Sequence, residues 1–424
     1  MKKILIIQNY NANKGDSSVV HTMKQTILDN DNDIDIKLTS YDPVMAEDEY
    51  ELDSAEWIIN FRNMKLAKSK VKKIYYFMKE FLWIIYSLFW ILLYKLHIQL
   101  PLPSFKKKTI ELYLQSQVVV LPGGHFFTNL NGFPVNISHA YGLLFAKWLG
   151  KKTMVYAQTV GPFFGKFGSI TRKIADYVIK HTDIVTLREN DSTQYCRGYN
   201  NVYVTAETVF ALPTDKTKAE YLDQLNELRN KNKLLVGVTI HHIYFKHFFE
   251  RDDYIQLMAD IFDSITQDYN CNVLIIPMEA SYHKGGDIPI ANEMRDISSN
   301  PQSIYILDGD LDPLTTSSVI ANMDIFIGTK THSIVYGLKS IIPTISISYQ
   351  QKSTEFMKMF NVEENAIDLK VLNVSDFMGI FDRVYNNRES YRQTQNDSYK
   401  KVKNKSLENK KLLLSLFDGM SDGK

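Results

Sequence analysis

Short apolar runs alternate with amphipathic stretches along most of the chain. The runs at residues 4–7, 34–40, 118–121, 152–157, 184–187 and 202–205 end in polar or glycine-containing turns, the pattern of buried strands. Residues 57–61 suggest one strand more. Between them, 19–28, 141–149 and 170–180 carry apolar positions at helical spacing. A polar run at 213–218 reads as a linker, and a helix at 219–228 completes the crossover. A second series follows. Strands are expected at 234–240, 273–277, 303–307, 325–327 and 343–348, with helices at 254–265, 290–297 and 334–338 and another opened by Asp312-Pro313. The stretch 377–417 reads as a helical tail. Strands alternating with helices in two blocks predict an α/β chain of two doubly wound, Rossmann-like domains facing a cleft. The expected units are an N-terminal domain over 1–215, a C-terminal domain over 233–375 and a tail over 376–424.

One stretch breaks the alternation. Residues 81–94 are apolar all round, shorter than the roughly 18 residues of a spanning helix, and form the centre of an insert at about 70–105. Lys65, Lys68, Lys70, Lys72 and Lys73 precede them, and Lys106-Lys107-Lys108 follow. This suits a helix lying against an anionic leaflet. It suits a buried core helix or a subunit interface as well. The apolar start at 4–7 is too short for a signal peptide and reads as the first strand.

Composition narrows the classes. The 424 residues fit two domains, and 45% hydrophobic content is ample for packed cores. A net charge of +1 argues against a general nucleic-acid binder. Cys196 and Cys271 form neither a metal pattern nor a disulfide framework, which suits a reducing compartment. No metal-ligand spacing such as HxxH or CxxC occurs, and His241 and His242, as neighbours on a strand, would point to opposite sides. No GxSxG elbow is present.

The candidate chemistry gathers just past the strands, where this class of fold binds ligands. Gly328-Thr329-Lys330-Thr331-His332-Ser333 places a cation and an imidazole where a strand hands over to a helix, and a helix N-terminus there favours anions. A polar βα loop with a surface lysine and a capping hydroxyl fits the same residues. The other strand ends supply Asp16, Gly123, Gly124, His125, Gln158, Arg188, Glu207, His241, Glu279, Tyr349 and Lys352. Asp191 and Glu207 also fit as helix-dipole partners.

Seven pieces in series resemble the polysaccharide pyruvyl transferase family. They are Asn13-Lys14-Gly15-Asp16, Leu121-Pro122-Gly123-Gly124, Gln158-Thr159-Val160-Gly161-Pro162, Leu187-Arg188-Glu189-Asn190-Asp191-Ser192, Ala206-Glu207-Thr208-Val209-Phe210, the turn at 328–333, and 343–352. The resemblance implies a GT-B-type fold. It also implies transfer of a pyruvyl unit from phosphoenolpyruvate to a sugar of a polysaccharide or lipid-linked glycan, giving a ketal. The chain departs from the family with Lys330 for Arg, Glu207 for Asp, His125 for a third Gly, and Ile240-His241 where Arg is usual. A point charge has replaced a planar fork at 330. On this resemblance, His332 is the acid–base group, Arg188 and Lys330 neutralise the donor, Asp16, Gly123 and Gly124 line the acceptor side, and no metal or cofactor is called for. The expected place is cytoplasmic, peripheral on the inner face of the membrane. Two rival readings remain: a GT-B glycosyltransferase using a nucleotide sugar, and a non-catalytic glycan-binding member.

Overall fold

A computed structural model gives the structure of the chain. It describes all residues except 11–13, 30–32, 99, 129–132, 166, 214–218, 230–232, 242–248, 280–285, 310, 350 and 420–424. His242 and most of the expected linker lie outside the described residues. The chain divides into two compact units. The first comprises residues 1–12, 19–208 and 405–424, and the second residues 13–18 and 209–404.

In the first unit the strands are β1 (Lys2–Asn9), β2 (Ile34–Ser40), β3 (Ser54–Glu56), β4 (Val118–Leu121), β5 (Gly124–Phe127), β6 (Lys152–Val160), β7 (Ile184–Leu187) and β8 (Val202–Val204). They form one parallel sheet in the order β3-β2-β1-β4-β6-β7-β8, with β5 paired to β6. Every residue of β4 is buried, because helices cover both faces of a parallel sheet. The helices are α1 (Lys14–Leu28), α2 (Pro43–Tyr50), α3 (Arg62–Leu66), α4 (Lys70–Lys95), α5 (Ser104–Gln115), α6 (Phe133–Trp148) and α7 (Gly168–His181). The first residues of α1 group with the second unit. Residues 57–61 are not a strand: Trp57 instead caps the sheet, its indole N–H donating to the Asn9 carbonyl at 3.0 Å. The short β5 was not foreseen, since four residues with one glycine carry no clear period.

The apolar insert differs from its sequence reading. It is a 26-residue helix, α4, started by Ser69, whose hydroxyl accepts from the Lys72 N–H. By length and composition alone it could cross a membrane. It is not uniform around its axis, however. Glu80, Trp83, Ser87, Trp90 and Ile91 are buried at helical spacing, while Phe81, Leu82, Ile85, Leu88, Phe89 and Leu92 are exposed. Periodicity could not separate the two faces because both are apolar.

In the second unit the strands are β9 (Leu234–Val238), β10 (Cys271–Ile275), β11 (Ile304–Ile306), β12 (Ile325–Gly328), β13 (Thr344–Ser348) and β14 (Ala366–Asp368). They form a parallel sheet in the order β11-β10-β9-β12-β13-β14, the doubly wound arrangement. Its helices are α8 (Ala219–Arg229), α9 (Arg251–Asp268), α10 (Asp287–Ile297), α11 (Pro313–Ile320), α12 (Thr331–Lys339), α13 (Gln351–Met359), α14 (Val374–Asn386) and α15 (Arg388–Ser415). The expected tail is not a body of its own. Phe377, Phe381 and Val384 of α14 join the core of the second unit, and α15 changes unit at residue 405.

Candidate active site

The strand order of the second sheet reverses between β9 and β12, and folds of this class bind ligands in the crevice beyond the carboxyl ends at such a reversal. Thr239, just past β9, joins those two ends. Its hydroxyl accepts from the Thr329 N–H at 3.0 Å and shares a 2.8 Å hydrogen bond with Ser333. Ser333 also donates to the Lys330 carbonyl at 2.7 Å. Lys330 is the N-cap of α12, with extended backbone and no capping bond from its side chain. Its ammonium turns away instead. It lies 2.9 and 3.1 Å from the two oxygens of Asp287 and 3.2 Å from Glu279.

Asp287 is fully buried and also accepts from the backbone N–H groups of Met278 and Glu279, both at 2.9 Å. It begins α10, where the helix dipole favours a negative charge. Glu279 keeps 27% of its side-chain exposure, so it is the carboxylate of the pair that a ligand can reach. Lys330, expected to help neutralise the donor, is thus held by two carboxylates.

His332 is half-buried in the first turn of α12. Its ring packs against Gly15 so closely that a Cβ there would stand 2.2 Å from Nδ1. Lys14 donates to the Pro277 carbonyl at 3.3 Å, and the Ser18 hydroxyl meets the Tyr336 hydroxyl one turn further along α12. Asp16 stands in the same first turn of α1. His241 follows β9 rather than lying on it. Its ring meets that of Tyr349 edge-on, with centroids 4.8 Å apart. Lys352 lies in α13, and its side chain is outside the described residues.

The polar cluster of the first unit is of another kind. Arg188, just past β7, is completely buried. Its guanidinium lies 2.5 Å from Glu207 and 3.4 Å from Glu189 and donates to Thr159 at 2.8 Å. Glu189 accepts from Ser192 and Thr159, and burial pushes its carboxyl above the usual range against the pull of Arg188. One cation thus faces two carboxylates in the interior. Arg188, expected to help neutralise the donor, is the centre of a buried ion cluster, and Glu207 is its partner. Gln158 is buried too. It accepts from the Phe126 N–H at 3.3 Å and donates to the Pro122 carbonyl, which pins the turn carrying Gly123 and Gly124. A Cβ on Gly123 would come within 3.3 Å of the Ala157 carbonyl, so that glycine serves close packing. His125 is half-buried within β5.

Both cysteines are buried, and burial pushes each thiol up to about 12, so neither is a ready nucleophile. Among the described residues no group of three or more His, Cys, Asp or Glu is arranged to hold a metal ion. Sequence reasoning missed Thr239 and Asp287. Thr239 carried no signal, being one hydroxyl inside an apolar strand. Asp287 did carry one, because an acid two residues before Pro289 marks a helix start.

Residues 13–351 match a family model described as polysaccharide pyruvyl transferase. The amylovoran biosynthesis protein AmsJ of Erwinia amylovora is 22% identical over 304 residues, covering 69% of this chain and 71% of that protein. Among solved structures, the UDP-GlcNAc 2-epimerase of Neisseria meningitidis has a TM-score of 0.58 at 12% identity, covering 98% of this chain and all of its own. A glycosyltransferase from Rickettsia africae has a TM-score of 0.56 at 13% identity, covering 99% of each chain. The Anabaena protein HepE, solved with UDP, has a TM-score of 0.58 at 9% identity, covering 99% of this chain and 100% of its own. These likenesses show a GT-B-type fold of two Rossmann-like domains.

Proposed function

Since the chain belongs to the polysaccharide pyruvyl transferase family, we propose that it moves the pyruvyl unit of phosphoenolpyruvate onto a sugar of a polysaccharide or lipid-linked glycan. The product is a pyruvate ketal, and phosphate is released. The observation that carries this reading is the place of His332: an imidazole at the start of α12, beside the strand-order reversal, held against the first turn of α1.

The reaction needs a proton on the methylene carbon, two new C–O bonds and one broken C–O bond to phosphate. The first sugar hydroxyl adds to the protonated enol carbon, and the second displaces phosphate from the same carbon. Of the two hydroxyl protons, one replaces the proton given to carbon and the other leaves on phosphate, so the balance closes between donor and acceptor. His332 is the group to give and take that proton, since an imidazole can serve as either acid or base. The N-terminus of α12 stabilises the donor's negative charge through its backbone N–H groups. Lys330 adds charge there, oriented by Asp287, while Glu279 yields its share of the ammonium to the incoming anion. In this reading the acceptor glycan meets Asp16, His241 and Tyr349, and the enzyme works in the cytoplasm.

Phosphate release from phosphoenolpyruvate with a panel of saccharide acceptors tests the assignment. His332→Ala should lower turnover by at least ~100-fold with unchanged melting, the size of a lost acid–base group, and Lys330→Ala should lower turnover while also lowering the melting temperature, because it strands the buried Asp287. Near-normal turnover in both rejects it. One observation favours a second reading. Glu279 stands just past β10, the second strand of its sheet, from where a carboxylate holds a ribose in dinucleotide folds. A glycosyltransferase taking a nucleotide sugar would be stabilised in a thermal-shift assay by the nucleotide sugar and not by phosphoenolpyruvate.

A further inference from the structure

About half of the large apolar side chains exposed on the described surface lie between residues 71 and 98, on and just beyond α4. They are concentrated on one face. Taking 100° per residue, the exposed Phe81, Leu82, Ile85, Leu88, Phe89 and Leu92 centre roughly 165° from the buried Glu80, Trp83, Ser87, Trp90 and Ile91. The buried face is fastened by polar bonds as well as packing. The Trp83 indole donates to the Ile58 carbonyl at 2.7 Å, and Ser87 and Tyr141 share a hydrogen bond of 2.6 Å. Glu80 lies 3.2 Å from the fully buried Lys106, which also reaches Glu56 and the Trp57 carbonyl. A helix so tied cannot leave the body to cross a bilayer without stranding an ion pair, two indoles and two hydroxyls.

The charge around the exposed face has one sign. From residue 63 to 98 the chain carries seven lysines, and its one acid is the buried Glu80. A second copy of this chain docked along α4 would set lysines against lysines with no carboxylate to meet them. An anionic bilayer offers what the face lacks: headgroups for Lys70 and Lys95, exposed at the edge of that face, and acyl chains for the Phe, Ile and Leu side chains. The apolar surface continues past Leu82 into a groove of about 460 Å³ between α4 and residues 101–105, with the Lys79 ammonium 3.8 Å above the Phe105 ring at its rim.

We infer that α4 is an in-plane membrane anchor: its buried face belongs to the protein core and its exposed face lies in the headgroup boundary of an anionic leaflet, without crossing it. This surface is independent of the transfer chemistry proposed above.

The full chain is sedimented with vesicles of phosphatidylcholine alone and of phosphatidylcholine mixed with phosphatidylglycerol. It should bind the mixed vesicles, less so as salt rises, and alkaline carbonate should release it. Ile85→Asp with Phe89→Asp, both at exposed positions, should weaken binding at least ~tenfold with unchanged melting. Lys70→Glu with Lys95→Glu should weaken it on the mixed vesicles. No binding to mixed vesicles, or full binding by the Asp pair, overturns the inference. So does retention after carbonate, which would mean a spanning helix. So does a concentration-dependent dimer that the Asp pair abolishes, which would give the face to a second copy. Pyruvyl transfer to a soluble acceptor should survive the Asp pair, so each proposal can fail without the other.

Discussion

At Gly15 a single atom would displace the imidazole proposed as the acid–base group. A methyl group there cannot coexist with the His332 ring at its present place, because the two would stand 2.2 Å apart. Gly15→Ala should cost little in melting temperature, since alanine favours a helix more than glycine does. It should lower kcat at least ~tenfold by moving the imidazole, because positioning errors of about an ångström are that expensive. Asp287 and Glu279 divide the work on Lys330 differently. Asp287 is buried with four polar contacts, so Asp287→Ala should destabilise the fold by about 3–5 kcal/mol, the cost of stranding a buried charge. Glu279→Gln should leave melting nearly unchanged and lower KM for phosphoenolpyruvate, because it removes a carboxylate that competes with the donor. A raised KM would count against the proposed exchange. The sequence marked Lys330, His332 and Glu279 by residue type and place. It could not mark which carboxylate was buried, since that depends on groups brought from β10 and α10.

At the scale of elements, α12 carries the proposed site at one end and a buried lysine at the other. Lys339, in its last turn, is almost wholly buried and donates to the Leu212 carbonyl at 3.3 Å. Burial, with some repulsion from Lys403, brings its ammonium down to about 7. An unfolded lysine titrates near 10.5, so between pH 7 and that value the unfolded chain holds a proton the folded chain lacks. Stability should therefore rise with pH across this window, and the penalty is full below pH 7. Lys339→Met should raise the melting temperature most at pH 7 and below, with the gain shrinking toward pH 10. A gain independent of pH would show that packing, not charge, is responsible. The helix was legible in the sequence from 334 to 338, but its first turn was not. Thr331, His332 and Ser333 look like a loop until the Thr239 bonds fold them into α12.

At the scale of the whole molecule, the last residues of α15 complete the first unit. Asn409 donates to the Ala206 carbonyl at 3.1 Å and accepts from Thr205 at 2.8 Å, and Ser406 donates to the Thr208 carbonyl at 3.0 Å. All of these groups are buried. Deleting residues 405–424 should thus destabilise the first unit and expose β8 to proteolysis, with fragments mapping to its neighbourhood. A truncated chain with unchanged melting would refute this role. Nothing in the polar composition of the tail announced it, because Asn and Ser facing a core read like Asn and Ser facing water.

The order of strands and helices, the two doubly wound blocks and the family were written in the sequence, because parallel strands buried on both faces leave long apolar runs and their ends leave glycine and charge. Which of those end residues close on buried partners was not. Arg188 and Gln158 look in sequence like Lys330 and His332, yet Arg188, Gln158 and Lys330 close on buried partners, while His332 packs against Gly15 at a helix start beside the reversal of the sheet. Burial and pairing are properties of distances between remote segments, and only the folded chain sets those distances.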